Sequence, residues 1–228
     1  MHALIIYGGW EGHEPAQVAA VLKEQLAGHG FRVTMRKSLN ALDNPVYLAK
    51  FDLIILEWTI GRTRNKWIAN LCEVVREHGV GFAGLHGGAG DTFRSETEYQ
   101  FMVGGQFVAH VGGILDYRVD IVDRTDPVTH GLANFNMHSE QYYMHVDPSN
   151  HVLAATTCES TGTRIPVAWK RAYGKGRVFY LSIGHVVADL DVHEALTILT
   201  RGVIWAAEGK ALAAANTPVE QTHAGVPQ

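Results

Sequence analysis

The stretch Val80-Gly81-Phe82-Ala83, followed by Gly84-Leu85-His86-Gly87-Gly88, constrains the fold more than any other part of the chain. An apolar run without alternation predicts a strand buried on both faces, and the glycines after it predict a sharp turn into a helix. That order of strand, turn and helix is where α/β hydrolytic enzymes expose a nucleophile above a sheet. Here the exposed position carries His86 where serine or cysteine is expected. An imidazole is a poor covalent nucleophile but a good general base or metal ligand.

The rest of the first half repeats the pattern. Ala3 to Tyr7 is a short apolar strand, and Gly8 to Glu14 a glycine-rich polar loop. Pro15 suits the first turn of a helix, which Val18, Leu22 and Leu26 give a core face and Gly28 and Gly30 end. Phe31 to Arg36 and Phe51 to Leu56 read as further strands, with a helical stripe of Trp67, Leu71, Val74 and Val75 before the strand at Val80. Alternating helices with doubly apolar strands predict an α/β three-layer sandwich, a mostly parallel sheet with helices on both faces. Ligands bind such sheets beyond the carboxyl ends of the strands, so His13, Trp58 and His86 are expected on one rim.

The second half changes character. Strand-like runs at Leu115 to Val122, Met137 to Met144, Val152 to Thr157, Pro166 to Lys170 and Arg177 to Ser182 predict antiparallel additions to that sheet. The glycine-punctuated run from Gly104 to Gly113 reads equally as a packed crossover or as part of the rim. A last helix, with Leu196, Leu199, Val203 and Ile204 inward, is expected to end near Glu208-Gly209. One domain over 1–209 follows, with 210–228 a flexible tail.

Composition narrows the partners. A net charge of −4 gives no basic footprint for nucleic acid. No apolar run approaches the roughly 20 residues that span a bilayer, and the chain opens on a strand with no signal peptide. Two cysteines on different segments, Cys72 and Cys158, predict packed thiols and a cytoplasmic home. Thirteen histidines suit a polar pocket. Self-association into a homo-oligomer is left open.

His86 is the first catalytic candidate; capping the following helix is its bland alternative. His185, leaving the strand Val178 to Ser182, is the second. Glu140 lies on one strand face with His138 and Tyr142, and on the cleft side would be an acid/base or a ligand. Amides of the Gly8–Gly12 loop, Gly9 among them, suit an oxyanion or a sugar hydroxyl, and Trp10 and His13 would face the substrate there. Trp58 offers a stacking platform, Asp91 would orient His86, Arg94 would clamp a carbonyl or hydroxyl, and Tyr142 completes the substrate contacts. His13, His86 and His185 suit a divalent metal, zinc or similar, although no ligand spacing demands one, and His110 is a further rim candidate. No nucleotide cofactor is expected: the loop lacks the Gly-x-Gly-x-x-Gly order, and Arg36-Lys37 end the second strand where an acid belongs.

Gly8-Gly9-Trp10-Glu11-Gly12-His13-Glu14, the His86 turn with Asp91-Thr92-Phe93-Arg94, Glu140-Gln141-Tyr142-Tyr143, and Pro166-Val167-Ala168-Trp169 with Gly174 to Tyr180 together carry a resemblance. From about residue 3 to 208 the chain resembles the trehalose-utilisation (ThuA-like) family, a branch of the class I glutamine amidotransferase-like, flavodoxin-like folds. The resemblance implies that His86 occupies the amidotransferase cysteine's position and that His185 matches its triad histidine. Glutamine hydrolysis is then not expected. It also implies bacterial catabolism of trehalose and related disaccharides, alongside dehydrogenases that make 3-keto sugars. The resemblance thus makes a small-molecule carbohydrate the expected partner, and the expectation is an enzyme acting on a 3-keto disaccharide or related glycoside by histidine acid/base chemistry. The alternatives are a non-catalytic saccharide-binding or regulatory module, and a metal-dependent hydrolase of another small molecule.

Overall fold

The computed structural model describes residues 1–215. The chain begins β1 (His2–Gly9), α1 (Pro15–Gly28), β2 (Arg32–Arg36), α2 (Pro45–Leu48), β3 (Leu53–Thr59), α3 (Asn65–His78) and β4 (Gly81–Leu85). It continues through α4 (His86–Gly90), α5 (Thr97–Val103), β5 (Gly105–Ile121), β6 (Phe135–Val146), β7 (His151–Cys158), β8 (Thr163–Tyr173), β9 (Gly176–Leu181) and α6 (His193–Ala214). One nine-stranded sheet has the order β2-β1-β3-β4-β9-β8-β7-β5-β6. β1 to β4 and β9 are parallel, while β8, β7, β5 and β6 join antiparallel. The expected three-layer α/β architecture is present.

Alternate residues of the parallel strands feed two cores. Ala3, Ile5, Ile55 and Ala83 pack toward α1 and α6, through Val18, Leu22, Ile198 and Val203. Leu4, Ile6, Ile54 and Phe82 pack toward α3 and α5, through Leu71, Val75, Tyr99 and Met102. Burial on both faces is why these strands lack polar alternation. Among the described residues, no helix is long and apolar enough to cross a membrane.

Two expectations change. The Gly104–Gly113 segment is no crossover: from Gly105 it is the first half of β5, a 17-residue strand. Its register against β6 shifts between Phe107 and Ala109 and again between His110 and Ile114, where Gly112 and Gly113 take positive φ. Such bulges bend a strand, and glycine permits them. The second change concerns α6, which runs past Gly209 to Ala214. Gly209 sits against the Arg177 stem, and Lys210 Nζ donates to the Ala49 and Phe51 carbonyls at 2.8 Å each, anchoring the last turns. Residues 210–215 are therefore structured; the rest of the expected tail lies outside the described residues.

Candidate functional site

The turn after β4 has the geometry its glycines predict. His86 takes φ +42°, a conformation non-glycine residues seldom adopt, and its carbonyl accepts the Tyr180 hydroxyl at 2.8 Å. A Cβ on Gly87 would fall 2.5 Å from the His13 ring, and one on Gly88 would fall 2.2 Å from the Glu57 carboxylate. These glycines let α4 settle onto the ends of β1 and β3. Among the described residues, the other non-glycine positive-φ positions are Glu14, Ile60 and Phe93, all in loops on this same rim. Strained backbone of this kind gathers at functional sites.

Distant imidazoles meet above that rim. The His86 ring lies 4.7 Å from that of His13 and 5.5 Å from that of His185, and His13 and His185 are 5.2 Å apart. Tyr142 stacks on His86 at 3.8 Å. His86 Nδ1 donates to the Ser182 carbonyl at 2.9 Å, while its Nε2 lies 3.2 Å from Glu140 Oε2. His185 Nδ1 is 3.3 Å from the same oxygen but makes no hydrogen bond. The His185 amide donates to Asp189 Oδ2 at 2.8 Å, which also accepts from Ser139, fixing that loop on β6. His13 Nδ1 pairs with Thr59 Oγ1 at 2.7 Å.

Burial sets the charges. It pulls the His13 pKa down to about 3, helped by neighbouring His86 and His185, and it lowers His86 against the opposing pull of Glu140 and the Ser182 carbonyl. Burial alone would push Glu140 up, but the His86 hydrogen bond and surrounding imidazoles hold it below its usual value. Burial first, then nearby acidic groups, keeps the Tyr142 phenol protonated.

Each remaining candidate has a definite place. Trp10, 49% exposed, stands edge-on to His13 and lines a cavity of about 210 Å³ with His13, Asp91, Arg94, His110, Glu140 and Tyr142. His110 thus joins the rim, with Nε2 3.8 Å from Glu140 Oε1. Ile60, Asp91 and Arg94 also border a second cavity of about 450 Å³, lined further by Arg62, Phe93 and Glu96.

Three assignments are corrected. Asp91 does not orient His86; its carboxylate is taken up by Arg94 Nε and Nη2, and Ser182 and Glu140 hold His86 instead. Arg94 is therefore no free clamp but half of an ion pair. Trp58 lies in β3 with its ring against Gly8 and Gly61, bracing β1 rather than offering a platform. Gly9 is small because Thr59 backbone crowds its Cβ position at 2.3 Å in the β1–β3 ladder. Glu14, at the end of the same loop, accepts the Val187 amide at 2.9 Å.

Other contributors went unread. Thr59 and the Ser182 carbonyl set ring tautomers, and Phe107 stacks with His110. Glu57, fully buried beneath Gly88, had a signal in the sequence: an acid inside the apolar run Leu53 to Thr59.

Known proteins share this fold. A putative ThuA-like protein from Bacteroides uniformis superposes with TM-score 0.77 at 19% identity, over 90% of this chain and 91% of that one. One from Parabacteroides merdae gives 0.72 at 20% identity, over 92% and 90%. A glutamine amidotransferase from Thermotoga maritima gives 0.52 at 15% identity, over 95% of each chain, which shows a shared fold alone. Among proteins of curated function none matches the chain. The sequence pattern of the ThuA family, described as trehalose utilisation, matches residues 2–206, and the chain belongs to that family.

Proposed function

We propose that the chain is an enzyme of sugar catabolism that breaks a 3-keto disaccharide or related glycoside by acid/base chemistry at the His86–Glu140–His185 cluster. The supporting observation is a buried carboxylate, held ionised, that touches two imidazoles and opens on a cavity walled by a half-exposed tryptophan. An indole face packs well against the apolar face of a sugar ring. A second cavity, which shares Ile60, Asp91 and Arg94 with the first, gives room for a second ring and favours a disaccharide over a monosaccharide. Small-molecule sites commonly span roughly 300–1,000 Å³, a range the two cavities together meet.

A carbonyl at C3 acidifies the neighbouring C2–H. Glu140 takes that proton, the electron pair forms the enediolate, and collapse breaks the C1–O bond. A protonated imidazole of the cluster, His185 being the more open, gives its proton to the departing oxygen. Water then adds across C1=C2, hydroxyl to C1 and proton to C2, so the sum is hydrolysis. Each positioned proton transfer of this kind contributes roughly 100- to 10,000-fold. A cytoplasmic home is part of the proposal, supported by the two unpaired cysteines.

The test is incubation with 3-keto-trehalose and with trehalose itself. Release of glucose and a keto-hexose from the first alone is expected. Saccharide binding without turnover would replace the enzyme with a binding module.

A further inference from the structure

His86 poses a proton-counting problem. Its Nδ1 faces a carbonyl, which only accepts, so Nδ1 carries the hydrogen. With that hydrogen on Nδ1, the neutral ring presents a lone pair at Nε2, yet Nε2 points at Glu140 Oε2 from 3.2 Å. His185 Nδ1 points at the same oxygen from 3.3 Å with no hydrogen bond to satisfy it. His13, with Nδ1 on Thr59, keeps Nε2 free beside both rings. One proton can mend one of these contacts. A cation among them mends all.

The dimensions agree. One ligand atom from each of His13, His86, Glu140 and His185 lies within 4.8 Å of every other. Nitrogen and oxygen ligands about 2.0–2.1 Å from a tetrahedral ion stand roughly 3.3 Å apart, the separation seen at both Glu140 contacts. The Ser182 carbonyl and Thr59 hydroxyl on the opposite ring nitrogens are the outer partners that fix ligating histidines.

We propose that His13, His86, His185 and Glu140 bind one divalent first-row transition ion, zinc foremost, at the place where the fold otherwise carries a nucleophile. Three imidazoles and one carboxylate select such an ion over magnesium or calcium. His13 and Glu140 also line the neighbouring cavity, from which a substrate oxygen would reach the ion as a fifth ligand. The inference rests on reading this cluster as the working site; with an ion held there, the ion would stabilise the departing oxygen in place of a protonated His185, and Glu140 would keep one carboxylate oxygen for the C2 proton.

Asp123, Asp126 and His151 form a second cluster of similar span and serve as a contrast. Asp123 already accepts from Thr125 and His151, and Asp126 is paired with Lys170, so a cation there would have to displace an ammonium group.

The experiment is a zinc titration of the chelator-stripped full chain, with bound metal counted by elemental analysis and no sugar present. We expect one equivalent per chain, a raised unfolding temperature, and with cobalt the visible absorption of a tetrahedral N/O site. Glu140→Gln and His185→Ala should each weaken zinc binding by at least about 100-fold, Thr59→Ala by roughly 10- to 100-fold, and Asp123→Asn not at all. The cobalt spectrum of the unmutated protein stands even if a variant folds poorly. Failure to bind one equivalent, or binding lost in Asp123→Asn but kept in Glu140→Gln, overturns the assignment. Because no sugar enters the titration, its failure is separate from failure of the keto-sugar reaction: a metal-free protein that turns over keto-trehalose removes the ion alone, and a loaded protein that does not removes the reaction alone.

Discussion

The two halves of the sheet are built on different terms. β1, β3, β4 and β9 are sealed by helices on both faces and consist almost wholly of apolar residues. β5 and β6 alternate, and the first half of β5 leaves Val108, Val111 and Ile114 substantially exposed. The rigid half supplies His13, His86 and His185 from the ends of its strands. The open half bends over them and contributes Glu140, Tyr142 and His110. A stiff base thus positions the imidazoles, and a bulged arm delivers the carboxylate and closes the cavity.

The sharpest way to break this division of labour is Glu140→Gln. If the arm carries chemistry, turnover of a 3-keto disaccharide falls by roughly 100- to 10,000-fold while the fold survives. Unchanged turnover would reduce the arm to a cover. Next comes packing: Phe82→Ala, in the sealed half, should cost about 3–5 kcal/mol in denaturant unfolding. Val111→Ala, on the open half, should stay within about 0.5 kcal/mol. Equal costs would erase the distinction.

The halves should also respond to pH with opposite sign. Burial pushes Glu57 well above its ordinary value of 4.5, so the folded protein keeps it protonated. Its contribution is fully present below that value and is lost as pH rises toward the folded one, by at most about 1.4 kcal/mol per pH unit. Glu57→Gln should flatten that loss. Asp123, lowered first by its Thr125 hydrogen bonds, contributes above its ordinary 3.8 and loses that contribution as pH falls. Unfolding of Glu57→Gln and Asp123→Asn between about pH 3 and about pH 8 separates the two signs. The smallest effect concerns the thiols. Burial pushes Cys72 up to about 12, whereas hydrogen bonds from Ser160 and Thr161 lower Cys158, so a thiol reagent should modify Cys158 first. Earlier labelling of Cys72 would mean that the sealed half opens more readily than its packing allows.

The same contrast explains what the sequence disclosed. Doubly apolar runs separated by amphipathic helices identify a covered parallel sheet, because nothing else buries both faces of a strand. Such strands place His86 and His185 at carboxyl ends by position alone. The run Gly104 to Gly113 disclosed less, since a bulged strand and a loop share the same glycines, and so the arm that seats His110 and Glu140 was not visible as a unit. Alternation nevertheless put His138, Glu140 and Tyr142 on one face of β6. It could not tell that His138 stands beyond the cover, paired with Asp116, while the other two are roofed over. Asp91 and Trp58 misled for a related reason: proximity in the chain to His86 or to a strand end does not fix where a side chain turns once Arg94 or Gly8 offers a closer partner.

The position of β9 carries a consequence for biosynthesis. It lies between β4 and β8, in the middle of the sheet, yet it is translated last among the strands. Until the ribosome has released that segment, the two halves have no common edge, and His185 is not yet there to meet the other imidazoles. A nascent chain therefore cannot complete the histidine cluster early: the stretch that welds the halves together is the one that finishes it.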